Sequence, residues 1–258
     1  MPASAASALA RAKERGHRLF ICTGRSAAEV YPRFFDLGFE GIVGGAGGYA
    51  AVGSTVLLDE RMPAEHVQTL TRMWEELDAF YVWQGPDQMG PSRGYLDFFV
   101  PRAGENPQDW VEYGESVTPF VVDIEGGSFT KVTAYVRPEN ASMERISAAL
   151  PDGYRAIIGS VGAAGYVPFE VLPTRLSKAV GIEAVCKHLG IPLSRSVAIG
   201  DSNNDVEAVA RAGVGISIGD GCEALVEVAD IVAPAVGDDG FAWALAAAGL
   251  IDEAPNPA

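Results

Sequence analysis

The sequence predicts an α/β protein, a doubly wound parallel sheet interrupted by an inserted α+β unit. Two observations predict it. At both ends of the chain, short apolar runs alternate with helix-length segments, the pattern of a parallel sheet with helices on both faces. Between them, strand-like pieces follow one another through Gly- and Pro-rich turns with few helices, which reads as a separate α+β unit. The expected division is 1–79 together with 173–258 as the core domain, and 80–172 as the insertion.

Taken in order, Ser4 to Arg15 is an Ala-rich helix closed by Gly16. His17 to Cys22 is a buried strand, followed by Thr23-Gly24-Arg25. Ser26 and Glu29 form a capping box for a helix expected to run to Leu37 and end at Gly38. Gly41 to Val43 is a strand, and Gly53-Ser54 turns a hairpin between Tyr49–Val52 and Thr55–Leu58. A helix over Ala64–Leu77 follows. In the insertion, strands are expected at Tyr81–Trp83, Phe120–Val122, Lys131–Val136, Tyr154–Ile158 and Phe169–Leu172, with a helix over Ser142–Leu150. Beyond Pro173 the alternation resumes: helix Ser177–Leu189, strand at Val197, helix from Val206, strand Val214–Ile218, helix Cys222–Val228, strand Ile231–Val232.

The composition of the 258 residues is that of a folded chain, with 48% hydrophobic and 21% charged residues. A net charge of −15 argues against a general nucleic-acid or anionic-membrane surface, which needs clustered Lys and Arg. It leaves room for a phosphorylated small molecule, since a metal and one or two cations reverse the field locally. Cys22, Cys186 and Cys222 have no metal-ligand spacing and suit a reducing compartment, so a cytoplasmic location is expected. His17, His66 and His188 are too scattered for a zinc cluster. The longest apolar stretch, Phe241 to Ile251, is too short to span a membrane.

Three places carry chemistry. The apolar run Val197-Ala198-Ile199-Gly200 releases Asp201 into a loop, and a helix begins near Asn204-Asp205. Ligands of open parallel sheets sit outside the carboxyl ends of strands. A hard cation such as Mg²⁺ takes one or two protein carboxylates plus phosphate oxygens. Asp201 and Asp205 are therefore candidate metal ligands. An N-terminal cap would account for one of them but hardly both. Thr23, Gly24 and Arg25 lie where a strand meets a helix start, a place where N–H groups and a hydroxyl can seat a phosphate. Lys178 opens a helix, against the helix dipole, so an anionic companion is expected there. Taken singly, Thr23 also reads as a turn residue and Lys178 as a surface cation.

The combination is more specific than its parts. Thr-Gly-Arg after an early strand, Ser-Lys opening a later helix and Gly-Asp-Ser-x-Asn-Asp after the next strand resemble, in that order, the haloacid dehalogenase superfamily. The resemblance is closest to its Cof-type phosphatases, which carry a large α/β cap on a Rossmann-like core. It extends over nearly the whole chain. Ala-Gly-Gly-Tyr at 46 to 49 looks like that family's Asn-Gly-Ala-Tyr hairpin entry, with Ala46 replacing the Asn. Phe169 to Pro173 is similar to the cap's return strand. Ala229-Asp230-Ile231-Val232 and Asp239-Gly240-Phe241 resemble its C-terminal signature.

The resemblance implies a Mg²⁺-dependent phosphatase of small phosphorylated metabolites. Thr23 would hold the phosphate, and Lys178 would neutralise nucleophile and phosphate. Asp201 would bind the metal, Asp205 would support the metal shell, and Asn204 would hydrogen-bond near the phosphate. Phosphoryl transfer depends on such neutralisation and alignment. The family's Asp-x-Asp-Gly-Thr motif is not found in this sequence. The helix at residues 2–15 resembles the one that follows that motif, so the true start is expected upstream by roughly 15 to 25 residues, from typical element lengths. Without that segment the aspartyl-phosphate route is closed. The chain as written is then expected to be inactive. Alternatives are a non-catalytic relative that binds a phosphorylated ligand, and a sugar phosphomutase. Arg93, Tyr95, Arg155 and Tyr166 are unspecific candidates for substrate contacts in the insertion.

Overall fold

The computed structural model describes residues 1–103, 110–219 and 221–252. The first half of the chain forms α1 (Ala3–Glu14), β1 (Phe20–Cys22), β2 (Gly41–Gly44), β3 (Tyr49–Val52), β4 (Thr55–Asp59), α2 (Ala64–Glu76), β5 (Phe80–Gln84), β6 (Met89–Pro91), α3 (Tyr95–Phe99) and α4 (Val111–Val117). The second half forms β7 (Lys131–Val136), α5 (Met143–Ala149), β8 (Tyr154–Ile158), β9 (Val167–Pro173), α6 (Lys178–Leu189), β10 (Val197–Gly200), α7 (Val206–Arg211), β11 (Val214–Ile218), α8 (Glu223–Val228), β12 (Ile231–Ala233) and α9 (Gly240–Ala247).

The chain divides into two compact units. One comprises Met1–Gly24, Pro32–Leu58 and Ser177–Ala258, the other Arg25–Tyr31 and Asp59–Leu176. The first unit carries a sheet in the order β1-β2-β3-β4 and a second in the order β10-β11-β12. β1 and β2 pair in parallel, as do β10, β11 and β12, while β2 and β3 form the antiparallel start of the hairpin. Ala198 packs with α7, whereas Val197 and Ile199 pack with α9, so helices cover both faces of β10. α1 buries Ala5, Ala8, Leu9 and Ala12, a stripe at helical spacing that packs against α9.

The second unit is an antiparallel sheet in the order β6-β5-β7-β9-β8. One face of it, with Trp83, Val132, Ala134, Phe169 and Val171, packs on Val67, Leu70 and Trp74 of α2 and Ile146 of α5. The other face is buried as well, and it sets a polar group beside the apolar Val82 and Tyr135. There the Lys131 ammonium donates to Glu170 at 2.6 Å, and the Thr133 hydroxyl donates to Gln84 at 2.8 Å. Gln84 in turn donates to Glu29 at 2.7 Å, and the Tyr113 hydroxyl donates to the same carboxylate at 2.9 Å. A buried polar set persists when its members satisfy one another.

Four expectations are corrected. The division expected at 79/80 and 172/173 falls instead at 58/59 and 176/177, because α2 lays its apolar stripe on the second unit's sheet; Arg25–Tyr31 joins that unit too. The continuous helix from Ser26 to Leu37 is two 3₁₀ turns, Ala27–Glu29 and Pro32–Leu37. Pro32 forces the residue before it out of helical geometry, which breaks the run. The Ser26–Glu29 box is present, Glu29 accepting from the Ser26 N–H at 2.7 Å. Phe120–Val122 is no strand: Pro119 sits in a 3₁₀ turn over Thr118–Phe120, and Val121 makes an isolated bridge with Met89. Finally, α3 and α4 are helices where strands and turns were expected to dominate. They bury Tyr95, Phe98, Phe99, Tyr113 and Val117 in a cluster whose aromatic content masks the helical period.

Candidate functional site

In the first unit, β1 and β10 hand over to loops that meet at the start of α6. Thr23 follows β1 and is tied to the end of β2. Its N–H donates to the Val43 carbonyl at 2.8 Å, and its own carbonyl accepts from Ala46 N–H at 3.3 Å. Gly24 lies against the β10 loop, where a Cβ would stand 3.1 Å from the Asn204 side-chain nitrogen. Gly47 has φ +95°, and a Cβ there would lie 1.9 Å from the Ser177 carbonyl oxygen. The backbone after β2 therefore presses directly on the residue that precedes Lys178. Only glycine combines that dihedral with that approach.

Lys178 is the first residue of α6 and is only 5% exposed. Its ammonium donates to Asp205 Oδ1 at 2.5 Å and to Asn204 Oδ1 at 2.7 Å. The anionic companion expected from the helix dipole is thus Asp205, itself 6% exposed. The other Asp205 oxygen accepts from the N–H groups of Asp201 (3.2 Å) and Ser202 (3.1 Å) and from the Ser202 hydroxyl (3.1 Å). Both Asp205 oxygens are spent on the loop and on Lys178. Asp201 differs: it is exposed at the end of β10, and its carboxylate makes no hydrogen bond or ion pair among the described residues.

Cys22 ends β1 beside this pair. Burial pushes its thiol up to about 12; Lys178 offsets this in part and Asp205 adds to it. The residue is neutral at physiological pH, and nothing in its spacing marked it as part of the site. Glycine spacing carried one missed signal, since a Cβ on Gly200 would stand 2.3 Å from that of Asp205.

Thr23, Gly24, Lys178, Asn204, Asp201 and Asp205 thus belong to neighbouring loops of one unit. Arg25 belongs to the other unit, its guanidinium 5.2 Å from the Trp110 ring centre and 5.8 Å from that of Tyr113. Of the substrate-contact candidates, Tyr95 is buried and stacks on Phe99 at 5.3 Å, and burial holds its hydroxyl well above the ordinary phenol range. Tyr166 packs edge-on against Phe98, Arg155 donates to the Leu176 carbonyl at 3.0 Å, and Arg93 is exposed. Among the described residues no group of three or more His, Cys, Asp or Glu side chains forms a metal cluster. A Mg²⁺ ion held by one carboxylate, with phosphate and water oxygens completing its shell, fits the Asp201 carboxylate, which is unengaged among the described residues.

The sequence model of the haloacid dehalogenase-like hydrolases matches residues 1–245. The chain belongs to that family. It is 25% identical over 251 residues to "Putative phosphatase YkrA" of Bacillus subtilis (strain 168), covering 97% of this chain and 92% of that protein. Among solved structures it is similar to the HAD subclass IIB sugar phosphatase BT4131, with a TM-score of 0.76 at 21% identity over 97% of this chain and 93% of that one. BT1666 of Bacteroides thetaiotaomicron, a phosphatase of the same superfamily, gives a TM-score of 0.74 at 22% identity over 97% and 89%. The expected fold class holds, and so does the expected family of hydrolases. Among the described residues no helix is long and apolar enough to cross a membrane.

Proposed function

We propose that the loops around Lys178 hold the phosphoryl group of a small phosphorylated metabolite, in a Mg²⁺-dependent phosphatase of the cytoplasm. The observation that carries this is the Lys178 ammonium, buried at a helix start and held by Asn204 and Asp205 at the carboxyl end of a parallel sheet. Thr23 and the backbone N–H groups of its loop would seat the phosphate oxygens. Lys178 would neutralise their charge, and Asn204 would donate to them from its amide nitrogen. Asp201 would hold the metal while Asp205 keeps the loop and the lysine in place. Mg²⁺, when bound, supplies charge neutralisation at the phosphate oxygens. Nothing in this set needs to move a proton to bind the anion.

A second reading, phosphate binding without turnover, is favoured by one feature. Asp205 is fully engaged and Asp201 is the remaining carboxylate of the β10 loop, which leaves the metal and a covalent acceptor competing for it. A phosphate-release screen over sugar phosphates, nucleotides, and flavin and pyridoxal phosphates, run with Mg²⁺ and with a chelator, separates the two. Chelator-sensitive release supports the phosphatase. Saturable binding without release supports the second reading. Neither binding nor release of any phosphorylated compound would remove both.

A further inference from the structure

The five-stranded sheet of the second unit ends in β6 on one side and β8 on the other, and its two edges differ. β6 is blunted. It has three residues, the last of them Pro91, and the Val122 N–H donates to the Met89 carbonyl at 2.9 Å on the side away from β5. β8 runs for five residues, Tyr154–Ile158, with no Pro, Gly or Lys among them, and pairs with β9 alone among the described residues. Its register shows which backbone groups face outward. The Gly159 N–H donates to the Pro168 carbonyl at 3.0 Å, and the Thr174 N–H to the Gly153 carbonyl at 2.8 Å. The groups facing β9 are therefore those of Gly153, Arg155, Ile157 and Gly159, every second residue of an antiparallel ladder. The N–H and C=O groups of Ala156 and Ile158 point to the open side, as does the Tyr154 carbonyl; the Tyr154 N–H turns back to the Pro151 carbonyl at 3.3 Å. Among the described residues the N–H groups of Ala156 and Ile158 have no partner. Such an edge is a template for another strand.

We infer that β8 is a dimerisation edge, pairing antiparallel with β8 of a second copy of this chain about a two-fold axis at Ala156. The strand is self-complementary in that register. Ala156 stands opposite Ala156 of the second copy, Tyr154 opposite Ile158, and Arg155 opposite Ile157. Each Ala156 N–H donates to the Ala156 carbonyl across the axis, and each Ile158 N–H to the Tyr154 carbonyl. Four unpartnered donors are thereby satisfied at once. The Tyr154–Ile158 pairs set an aromatic ring against a β-branched side chain and cover Ile158, which is 51% exposed. Gly153 and Gly159 face each other at both ends, where no side chain holds the backbones apart. Neighbouring registers fit less well. An axis at Arg155 sets two guanidinium groups opposite each other, and an axis at Ile157 carries Tyr154 past the end of the facing strand. Charge also permits the approach. The chain carries a net −15, which keeps copies apart in general, but no Asp or Glu lies between Gly153 and Phe169. The inference rests on the second unit alone and does not depend on the phosphatase reading.

Equilibrium sedimentation and hydrogen exchange of the 258-residue chain test it together. The expected result is a monomer–dimer equilibrium. The Ala156 and Ile158 amides exchange freely at high dilution and at least tenfold more slowly where dimer dominates. Two variants alter only groups on the open side of the strand. Ala156→Pro removes a donor that β9 does not use, so the strand keeps its place at the edge. It is expected to be monomeric at every concentration while keeping the far-ultraviolet dichroism of wild type. Ile158→Lys puts a cation opposite Tyr154 and is expected to raise the dimer dissociation constant at least tenfold. If Ala156→Pro does not fold, Ile158→Lys decides. A wild-type chain that stays monomeric at the highest concentration reached would overturn the inference and leave the edge to a strand of another protein. So would a dimer that either folded variant leaves intact, since its interface then lies elsewhere. Protection of the two amides that ignores dilution would overturn it too, because the edge would then be covered within one chain.

Discussion

The Lys178 ammonium stands 2.5 Å from Asp205 Oδ1, with both side chains withdrawn from solvent at the place where a helix starts and a strand has just ended. Truncating one partner leaves the other charged and buried, which typically costs about 3–5 kcal/mol. Asp205→Asn and Lys178→Met are each expected to destabilise the first unit by that order in urea unfolding. The double variant should lose less than the sum of the two. Additive losses would show that the pair is not coupled.

Gly47 fixes the same corner from the other side. Its φ of +95° and the 1.9 Å approach of a Cβ to the Ser177 carbonyl mean that Gly47→Ala must shift backbone. A strained left-handed position alone costs of order 1–3 kcal/mol. Gly47→Ala is expected to lower the melting temperature and weaken phosphate binding together. An unchanged melting temperature would contradict the packing described.

In the second unit, Lys131 and Glu170 are 2% and 7% exposed and 2.6 Å apart on the sheet face turned away from α2. Glu170→Gln should destabilise by about 3–5 kcal/mol, whereas Lys131→Met with Glu170→Leu should recover most of that loss. Equal stability of the single and double variants would refute the idea that the stranded ammonium carries the cost.

Cys22 gives a pH dependence with a definite sign. The unfolded thiol ionises near 9 and the folded one at about 12, so below pH 9 both states keep the proton and its contribution is fully present. Between those values the unfolded chain loses its proton first, and the contribution fades. Wild type is expected to lose more stability than Cys22→Ala as pH rises from about 9 to 10.5. Parallel curves for the two would sink the assignment.

Much of the first unit was legible because its signals are local. Gly200-Asp201 ends an apolar run, Ser177-Lys178 opens a helix, and both junctions lie where the spacing puts them. The pairing of Lys178 with Asp205 was only half legible: the dipole argument called for an anion without saying which. The role of α2 was hidden, because an amphipathic stripe of Val67, Leu70 and Trp74 says what it buries but not against which sheet. Helices α3 and α4 were missed because aromatic residues satisfy strand and helix patterns alike.

The central claim is that the Lys178 loops seat a phosphate beside a metal held by Asp201, and calorimetric titration of inorganic phosphate tests it most directly. Wild type and Asp201→Asn are titrated with and without Mg²⁺. Asp201 is exposed and its carboxylate makes no contact among the described residues, so its replacement should leave the fold intact. The account predicts that Mg²⁺ tightens phosphate binding at least tenfold in wild type and has no effect in Asp201→Asn. Phosphate binding that ignores both Mg²⁺ and the substitution, or no phosphate binding at all, would contradict it.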